Sequence, residues 1–380
     1  MIQSALSITC DFDSGNIVVL DASQPQNVQL AIRPDTRSPH FQWFHFKVEG
    51  MQVGEAHTFS LTNASESSYN RAWTGYNAVA SYDHKTWFRV PSHFDGKALN
   101  FTCSPEHSQI WFAYFEPYSR ERHDWLMGQA LNEAGTELLA TGKSVEGRDI
   151  PVLRKGDGAP GKRKVWIIAQ QHPGEHMAEW FMEGVIERLK EHDAQVQALL
   201  ASADLYLVPH MNPDGAFHGH LRTNAQGKDL NRAWQDSTPE LSPEVYFVKQ
   251  QMERYGVDMF LDVHGDEEIP YVFTAACEGN PGYTDQQKTL EADFRARLSG
   301  LTKDFQTRYG YPKSAPGKAN MNLACNSVGE RYKCLSLTLE MPFKDNDDAP
   351  DPLTGWSGAR SMRLAHDVLT VIGEMVSVLR

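Results

Sequence analysis

Two residues with metal-binding side chains flank a Pro-Gly pair near the middle of the chain. His172 and Glu175 lie in the stretch QQHPGEHM, directly after the apolar run KVWIIA. Pro173 and Gly174 suit a sharp turn from a strand into a helix, which would direct both side chains at one point. Imidazole nitrogen and carboxylate oxygen are ligands that zinc accepts. The spacing therefore predicts two of the ligands of a metal site.

A catalytic zinc needs a third protein ligand and one position left open for water. The best candidate is His264, which follows the apolar run MFLDV and precedes Gly265. A single histidine is more often a surface or core residue than a ligand. Because two strand ends here carry ligand chemistry, we expect one Zn²⁺ per chain, bound by His172, Glu175 and His264.

The segment between these strands, MNPDGAFHGHLRTNAQGKDLNRAW, is loop-like and rich in Asn, Asp, Gly and Arg. Arg222 and Arg232 would be unfavourable near a metal unless an anion lay between the cations. A substrate carboxylate would supply that anion, since a planar guanidinium binds a carboxylate through two hydrogen bonds. Asn224 and Asn231 strengthen the expectation of a binding segment.

Two further carboxylates have candidate roles. Asp229 could accept the outer ring N–H of a ligand histidine, which would fix its tautomer and orientation. Glu340 closes the strand CLSLTLEM just before Pro342. From a strand beside the metal, it could act as general base on an activated water. Taken alone, each would more often be a turn residue or an edge-strand charge.

The elements that must position these residues fall into two groups. Up to about residue 120, short apolar and aromatic runs alternate with turn residues, which is typical of an antiparallel sandwich. From Trp125 onward, apolar strands alternate with amphipathic helices, which predicts a mixed, largely parallel sheet flanked by helices. Ligands of such α/β sheets bind at the carboxyl ends of the strands, where the candidate residues stand.

The composition narrows the class of protein. A chain of 380 residues favours two domains, and a net charge of −13 argues against a nucleic-acid-binding surface. Five cysteines at irregular spacings are typical of a reducing compartment. The chain shows neither a signal peptide nor an apolar run of roughly 20 residues. We therefore predict a cytoplasmic protein without nucleic-acid or membrane partners. The sequence predicts no oligomeric state.

The order of short motifs resembles a known family. HPGE, NPDG, GKDLNR, DVHG and TLEM follow one another as in the funnelin-type zinc carboxypeptidases, and more narrowly in the cytosolic carboxypeptidase-like branch. The stretches WFHFKVEG, HTFSLTNASESSY and WFAYFEPYS are also similar to that branch, so the resemblance covers nearly the whole chain. It implies an N-terminal β-sandwich domain at residues 1–122 and a zinc carboxypeptidase catalytic domain at residues 123–380.

The resemblance also implies a role for each candidate residue. Asp229 would orient the imidazole of His172. Arg222 would polarise the scissile carbonyl and stabilise its oxyanion, and Glu340 would be the general base. Zinc would be bound by His172, Glu175 and His264.

Recognition of the substrate's end follows from two more residues of the same segment. The resemblance implies that Asn231 and Arg232 hold the C-terminal carboxylate of a peptide or protein substrate. Binding of that carboxylate restricts cleavage to the last residue. The predicted activity is therefore that of a zinc metallocarboxypeptidase, an exopeptidase.

Several features leave the substrate open. The tyrosine-containing segment of the digestive members has no match, and Tyr309, Tyr311 and Tyr332 have no assignment. Removal of a C-terminal glutamate would need a basic residue, for which the sequence offers Lys313, Lys318, Arg331 and Lys333. Acidic, aromatic and basic terminal residues all remain candidates. Two alternative functions are a zinc deacylase of N-acyl amino acids and a non-catalytic peptide-binding module.

Overall fold

The computed structural model describes residues 6–379; residues 1–5, on which the predicted lack of a signal peptide partly rests, lie outside this range. The first part of the chain is built of strands. They are β1 (Ser7–Thr9), β2 (Val18–Asp21), β3 (Val28–Ala31), β4 (His45–Glu49), β5 (His57–Leu61), β6 (Ala78–Ser81), β7 (Phe88–Val90), β8 (Ser92–Phe94), β9 (Leu99–Cys103) and β10 (Gln109–Ala113). Two short 3-10 helices, Ala64–Glu66 and Asn70–Trp73, lie between β5 and β6.

These strands form two five-stranded sheets, with the orders β1-β4-β10-β6-β7 and β2-β3-β5-β9-β8. Apolar and polar residues alternate along strands such as β9, so each sheet has one apolar face. Phe46 and Phe112 of one sheet meet Phe59 and Phe101 of the other, with Phe59 and Phe112 ring centroids 5.0 Å apart. The predicted sandwich is confirmed, with one difference: β3 and β5 run parallel.

The second part of the chain alternates strands and helices. Its strands are β11 (Thr136–Lys143), β12 (Asp149–Lys155), β13 (Arg163–Ala169), β14 (Ala203–Val208), β15 (Met259–Asp266), β16 (Phe273–Ala276) and β17 (Leu335–Pro342). Its helices are α1 (Arg120–Asn132), α2 (Met177–Lys190), α3 (Ala194–Ser202), α4 (Pro213–Phe217), α5 (Pro243–Tyr255), α6 (Asp285–Leu301), α7 (Ala324–Tyr332) and α8 (Gly358–Met375), with a 3-10 turn at Leu230–Arg232. The proposed division between residues 1–122 and 123–380 falls within α1.

One seven-stranded sheet organises this part, in the order β11-β12-β14-β13-β15-β17-β16. The four central strands β14, β13, β15 and β17 run parallel, and the remaining pairs are antiparallel. Both faces of the sheet are covered. Val165 and Ile167 of β13 belong to the apolar core that includes α2 and α8, whereas Trp166 and Ile168 belong to the core that includes α5 and α7. The predicted fold class is confirmed.

None of the helices between residues 6 and 379 is long and apolar enough to cross a membrane. The polar residues singled out in the sequence lie at the carboxyl edge of the central strands, as the parallel arrangement requires.

Candidate active site

Three neighbouring strand ends bring the candidate residues together. β13 lies beside β15, and β15 lies beside β17, all in parallel. His264 is paired directly with Glu340 across β15 and β17. His172 and Glu175 lie in the turn between β13 and α2.

Two imidazoles point the same ring nitrogen at one carboxylate. His172 Nδ1 lies 2.7 Å from Glu175 Oε1, and His264 Nδ1 lies 2.7 Å from Glu175 Oε2. All three side chains are buried, and one ligand atom from each lies within 4.8 Å of the others. Burial alone would raise the pKa of Glu175, but the two imidazoles lower it. Two nitrogens and a carboxylate are a donor set that suits zinc, so these residues fit the metal.

The outer nitrogens of both rings also face carboxylates. His172 Nε2 lies 3.1 Å from Asp229 Oδ1, and His264 Nε2 lies 2.9 Å from Asp262 Oδ2. Gln171 Nε2 donates a hydrogen bond of 2.7 Å to the same oxygen of Asp262. Asp262 was not singled out in the sequence. The signal was present, because residues two apart on a strand face the same side.

The turn that carries His172 fits closely against the Arg222 segment. Gly174 N–H donates a hydrogen bond of 3.0 Å to the carbonyl of Leu221. A Cβ on Gly174 would lie 2.9 Å from that same oxygen, so a side chain there would displace backbone. Glycine at this position therefore fixes the distance between the two segments.

Arg222 is mostly buried and held by two partners. Its Nε donates to Asp229 Oδ2 at 2.8 Å, and its Nη1 donates to the hydroxyl of Tyr69. Burial would raise the pKa of Asp229, but His172 and Arg222 lower it. Asp229 therefore links the cation to the outer nitrogen of His172.

Asn231 and Arg232 lie in the 3-10 turn at the same edge. Asn231 Nδ2 lies 3.3 Å from His264 Nε2, and its Oδ1 accepts the N–H of Ala324 at 2.9 Å. Arg232 is exposed and donates from Nη1 to the carbonyl of Asn231 at 2.9 Å. The guanidinium thus retains donors that face solvent.

Glu340 is a buried carboxylate with one free oxygen. Its Oε1 lies 3.1 Å from the hydroxyl of Tyr311, which also lies 2.7 Å from Asp266 Oδ2. Its Oε2 is buried and has no hydrogen-bond partner among residues 6–379. Burial raises the pKa of Glu340 well above its ordinary value.

The structure distinguishes between the three unassigned tyrosines. Tyr311 contacts Glu340, whereas Tyr309 stacks on Tyr271 with ring centroids 4.6 Å apart. Tyr332 packs against the core under α5 and α7. Tyr311 lies in the irregular segment after α6, so no sequence pattern fixed its position.

A cavity of about 410 Å³ is lined in part by Tyr311, the residue whose hydroxyl contacts Glu340. Thr338 lines the same cavity and lies on the same face of β17 as Glu340. Its charged residues are Glu278, Arg295, Arg308 and Lys313. Arg308 is paired with Asp348. Glu278 Oε1 lies 3.0 Å from Arg295 Nη1 and 3.1 Å from Lys313 Nζ, which leaves one net positive charge among these three residues.

Of the four basic residues suggested by the sequence, Lys313 lines this cavity. Arg331 pairs with Glu253 and Lys333 pairs with Glu330, both outside the cavity lining. Lys318 is exposed. Arg295 was not anticipated, because it comes from α6 and reaches the cavity only through tertiary packing.

Comparison with known proteins identifies the family. Residues 127–348 match the zinc carboxypeptidase family, and residues 8–115 match the cytosolic carboxypeptidase N-terminal domain. A metallo-carboxypeptidase from Pseudomonas aeruginosa, solved in complex with (2-guanidinoethylmercapto)succinic acid, is 62% identical and covers 98% of this chain and 100% of its own, with a TM-score of 0.97.

Two further relatives support the same family assignment. A metallo-carboxypeptidase from Burkholderia cenocepacia is 44% identical over 99% of this chain and 100% of its own, with a TM-score of 0.95. Cytosolic carboxypeptidase 6 of Caenorhabditis elegans is 26% identical over 90% of this chain and 79% of its own length. The chain therefore belongs to the zinc carboxypeptidase family, in the branch with a cytosolic carboxypeptidase N-terminal domain, and is a hydrolase that acts as an exopeptidase.

Proposed function

We propose that the protein removes the last residue of peptides or proteins with one Zn²⁺ per chain, and that it prefers an acidic last residue, glutamate above all. The observation that carries the proposal is the convergence of His172 Nδ1 and His264 Nδ1 on the carboxylate of Glu175. These three residues would hold the metal. The chemistry that zinc supplies when bound is Lewis-acid activation of a water and of a carbonyl.

The carboxylates behind the two imidazoles support this ligand set. The outer nitrogens of His172 and His264 lie at hydrogen-bond distance from Asp229 and Asp262. A proton on each Nε2 would leave Nδ1 of both rings, which is directed at Glu175, free to bind the metal. Each ring is therefore held in the tautomer and orientation that a metal ligand needs.

Proton transfer is assigned to Glu340. Its free Oε2 can accept a proton from the attacking water and then donate it to the leaving amine. Arg222 would meet the negative charge that develops on the carbonyl oxygen, since its own pKa is raised by Asp229 despite burial.

Recognition of the chain end is assigned to Asn231 and Arg232. The guanidinium of Arg232 is exposed at the edge of the site and can bind a carboxylate through two hydrogen bonds. A substrate held by its terminal carboxylate presents only its last peptide bond to Glu340. This geometry supports cleavage of one residue at a time.

The charged cavity supports an acidic last residue. Arg295 and Lys313 together outweigh Glu278, so an acidic side chain would balance the remaining charge. The ligand of the Pseudomonas aeruginosa relative carries a guanidino group. A basic last residue, with Glu278 as its partner, is therefore the competing outcome.

The names of the more distant relatives support a cytoplasmic location, because they are cytosolic carboxypeptidases. We propose that location for this protein, with peptide or protein C-termini as its substrates.

Peptides that differ only in their last residue test the proposal. Zinc-loaded protein would be incubated with peptides ending in Glu, Asp, Lys, Arg or Phe, and released amino acids would be measured by mass spectrometry. Fastest release of Glu is the expected result, and fastest release of Lys or Arg would overturn the acidic preference. N-acetylglutamate would serve as a parallel substrate. Its hydrolysis without release from any peptide would favour the deacylase instead.

A further inference from the structure

We propose that the N-terminal domain is part of the active site, with Tyr69 acting as a positioning residue for Arg222. The inference rests on the proposed function, since it concerns the cation assigned to the developing oxyanion. Tyr69 lies between the two short 3-10 helices of the sandwich, far from Arg222 in the sequence. The contact is between the sandwich and the catalytic part of the chain.

Asp35 of the sandwich fixes the backbone that carries Arg222. Asp35 is 3% exposed. It accepts the N–H groups of Leu221, Arg222 and Thr223 at 2.7, 2.9 and 2.9 Å, and the hydroxyl of Thr223 at 3.0 Å. Four hydrogen bonds from one short segment to one buried carboxylate define where that segment lies. The sandwich therefore fixes the backbone position from which the Arg222 side chain extends.

Tyr69 fixes the other end of the same side chain. Its hydroxyl oxygen accepts a hydrogen bond from Nη1 of Arg222. Asp229 accepts the hydrogen bond from Nε at 2.8 Å, so the guanidinium has one partner on each domain. With Asp229 alone, the guanidinium would be held only at Nε, and Nη1 would have no partner on the sandwich.

Tyr69 is itself held in place by a buried glutamine. Its N–H donates to Gln42 Oε1 at 2.8 Å, and Gln42 Nε2 donates to the carbonyl of Tyr69 at 3.1 Å. Gln42 is fully buried in the sandwich. The hydroxyl therefore extends from a fixed backbone, as a positioning contact requires.

The position of Arg222 matters most in the transition state, when negative charge develops on the carbonyl oxygen. Ground-state binding of the substrate's end is assigned to Asn231 and Arg232, which Tyr69 does not contact. Loss of the Tyr69 hydroxyl should therefore lower kcat and leave KM unchanged, because only the transition state depends on the restrained guanidinium.

Tyr69→Phe removes the hydroxyl and keeps the ring. We expect a fall in kcat of about tenfold or more, the size that a small misplacement of a catalytic group produces, with an unchanged melting temperature. Tyr82→Phe is the matched control. Tyr82 also lies in the sandwich, and its hydroxyl accepts the N–H of Glu106 at 2.9 Å, away from the site. This variant should keep the wild-type kcat.

A double-mutant cycle tests the link to Arg222. In an Arg222→Ala background, Tyr69→Phe should have little further effect. Wild-type kcat in Tyr69→Phe would overturn the inference, as would an equal loss in both backgrounds or a matching fall in melting temperature. If the wild type releases no residue from any peptide, the proposed function itself fails. If the wild type is active and Tyr69→Phe has the same kcat, only the role assigned to Tyr69 is contradicted.

Discussion

The outer ring nitrogen of His264 lies 2.9 Å from Asp262, two residues earlier on the same strand. Asp262 thus contacts the outer nitrogen of His264 as Asp229 contacts that of His172. Unlike Asp229, it lies on the same strand as its histidine, β15. Asp262→Asn should lower zinc affinity about 10- to 100-fold, because an outer partner that sets tautomer and ring orientation is lost. Competition with a chromogenic chelator would measure the change.

A control for this variant lies at the other end of the same strand. Asp258 precedes β15, and its Oδ2 accepts the N–H of Lys164 at 2.9 Å. Asp258→Asn should leave zinc affinity unchanged. Wild-type affinity in Asp262→Asn would show that this carboxylate does not support a metal ligand.

The charged cavity predicts opposite effects for two neighbouring substitutions. Arg295→Gln removes a positive charge beside Glu278, and Glu278→Gln removes the negative charge. We expect the first to lower and the second to raise the preference for a last Glu over a last Lys, by about tenfold each for a change of about 1.4 kcal/mol. The ratio of kcat/KM for two peptides that differ only in that residue measures both. Shifts in the same direction would rule out the cavity as the determinant.

Burial of Glu244 predicts that the free energy of unfolding depends on pH. It is fully buried in the first turn of α5, and burial raises its pKa to about 7. The folded chain therefore holds this proton more tightly than the unfolded chain does. Stability should fall as pH rises from about 4.5 to about 7, the interval between the two pKa values. Above that interval the loss is complete.

Glu244→Gln cannot lose a proton and should not show this loss. Melting temperatures measured from pH 5 to pH 8 should therefore fall in the wild type relative to the variant. Glu240→Gln changes an exposed carboxylate and should follow the wild type at every pH. A constant difference between wild type and Glu244→Gln would contradict the assigned pKa.

The sequence predicted the parts of the site that follow from strand periodicity. His264 and Glu340 end apolar runs, and parallel strands bring their carboxyl ends to one edge. His172 and Glu175 follow another run across a Pro-Gly turn. The same reasoning could have found Asp262, because a residue two positions before a strand-end histidine shares its face.

Other contacts depend on packing between distant segments. Tyr311 lies in an irregular segment, and Arg295 lies on a helix face that meets the cavity only in the folded chain. Asp35 and Tyr69 belong to the sandwich and reach Arg222 across the contact between the two parts of the chain. No local pattern records such contacts. The role of the N-terminal domain could therefore not be stated from the sequence.

Release of the last residue by the wild type and by Glu340→Gln, both loaded with zinc, tests the central claim most directly. Glutamine is close in shape to glutamate but cannot accept the proton at neutral pH. The variant should bind one zinc per chain and melt at the wild-type temperature, while its rate of release falls about 10²- to 10⁴-fold. Release at the wild-type rate by Glu340→Gln would contradict the assignment of Glu340 and the proposed chemistry.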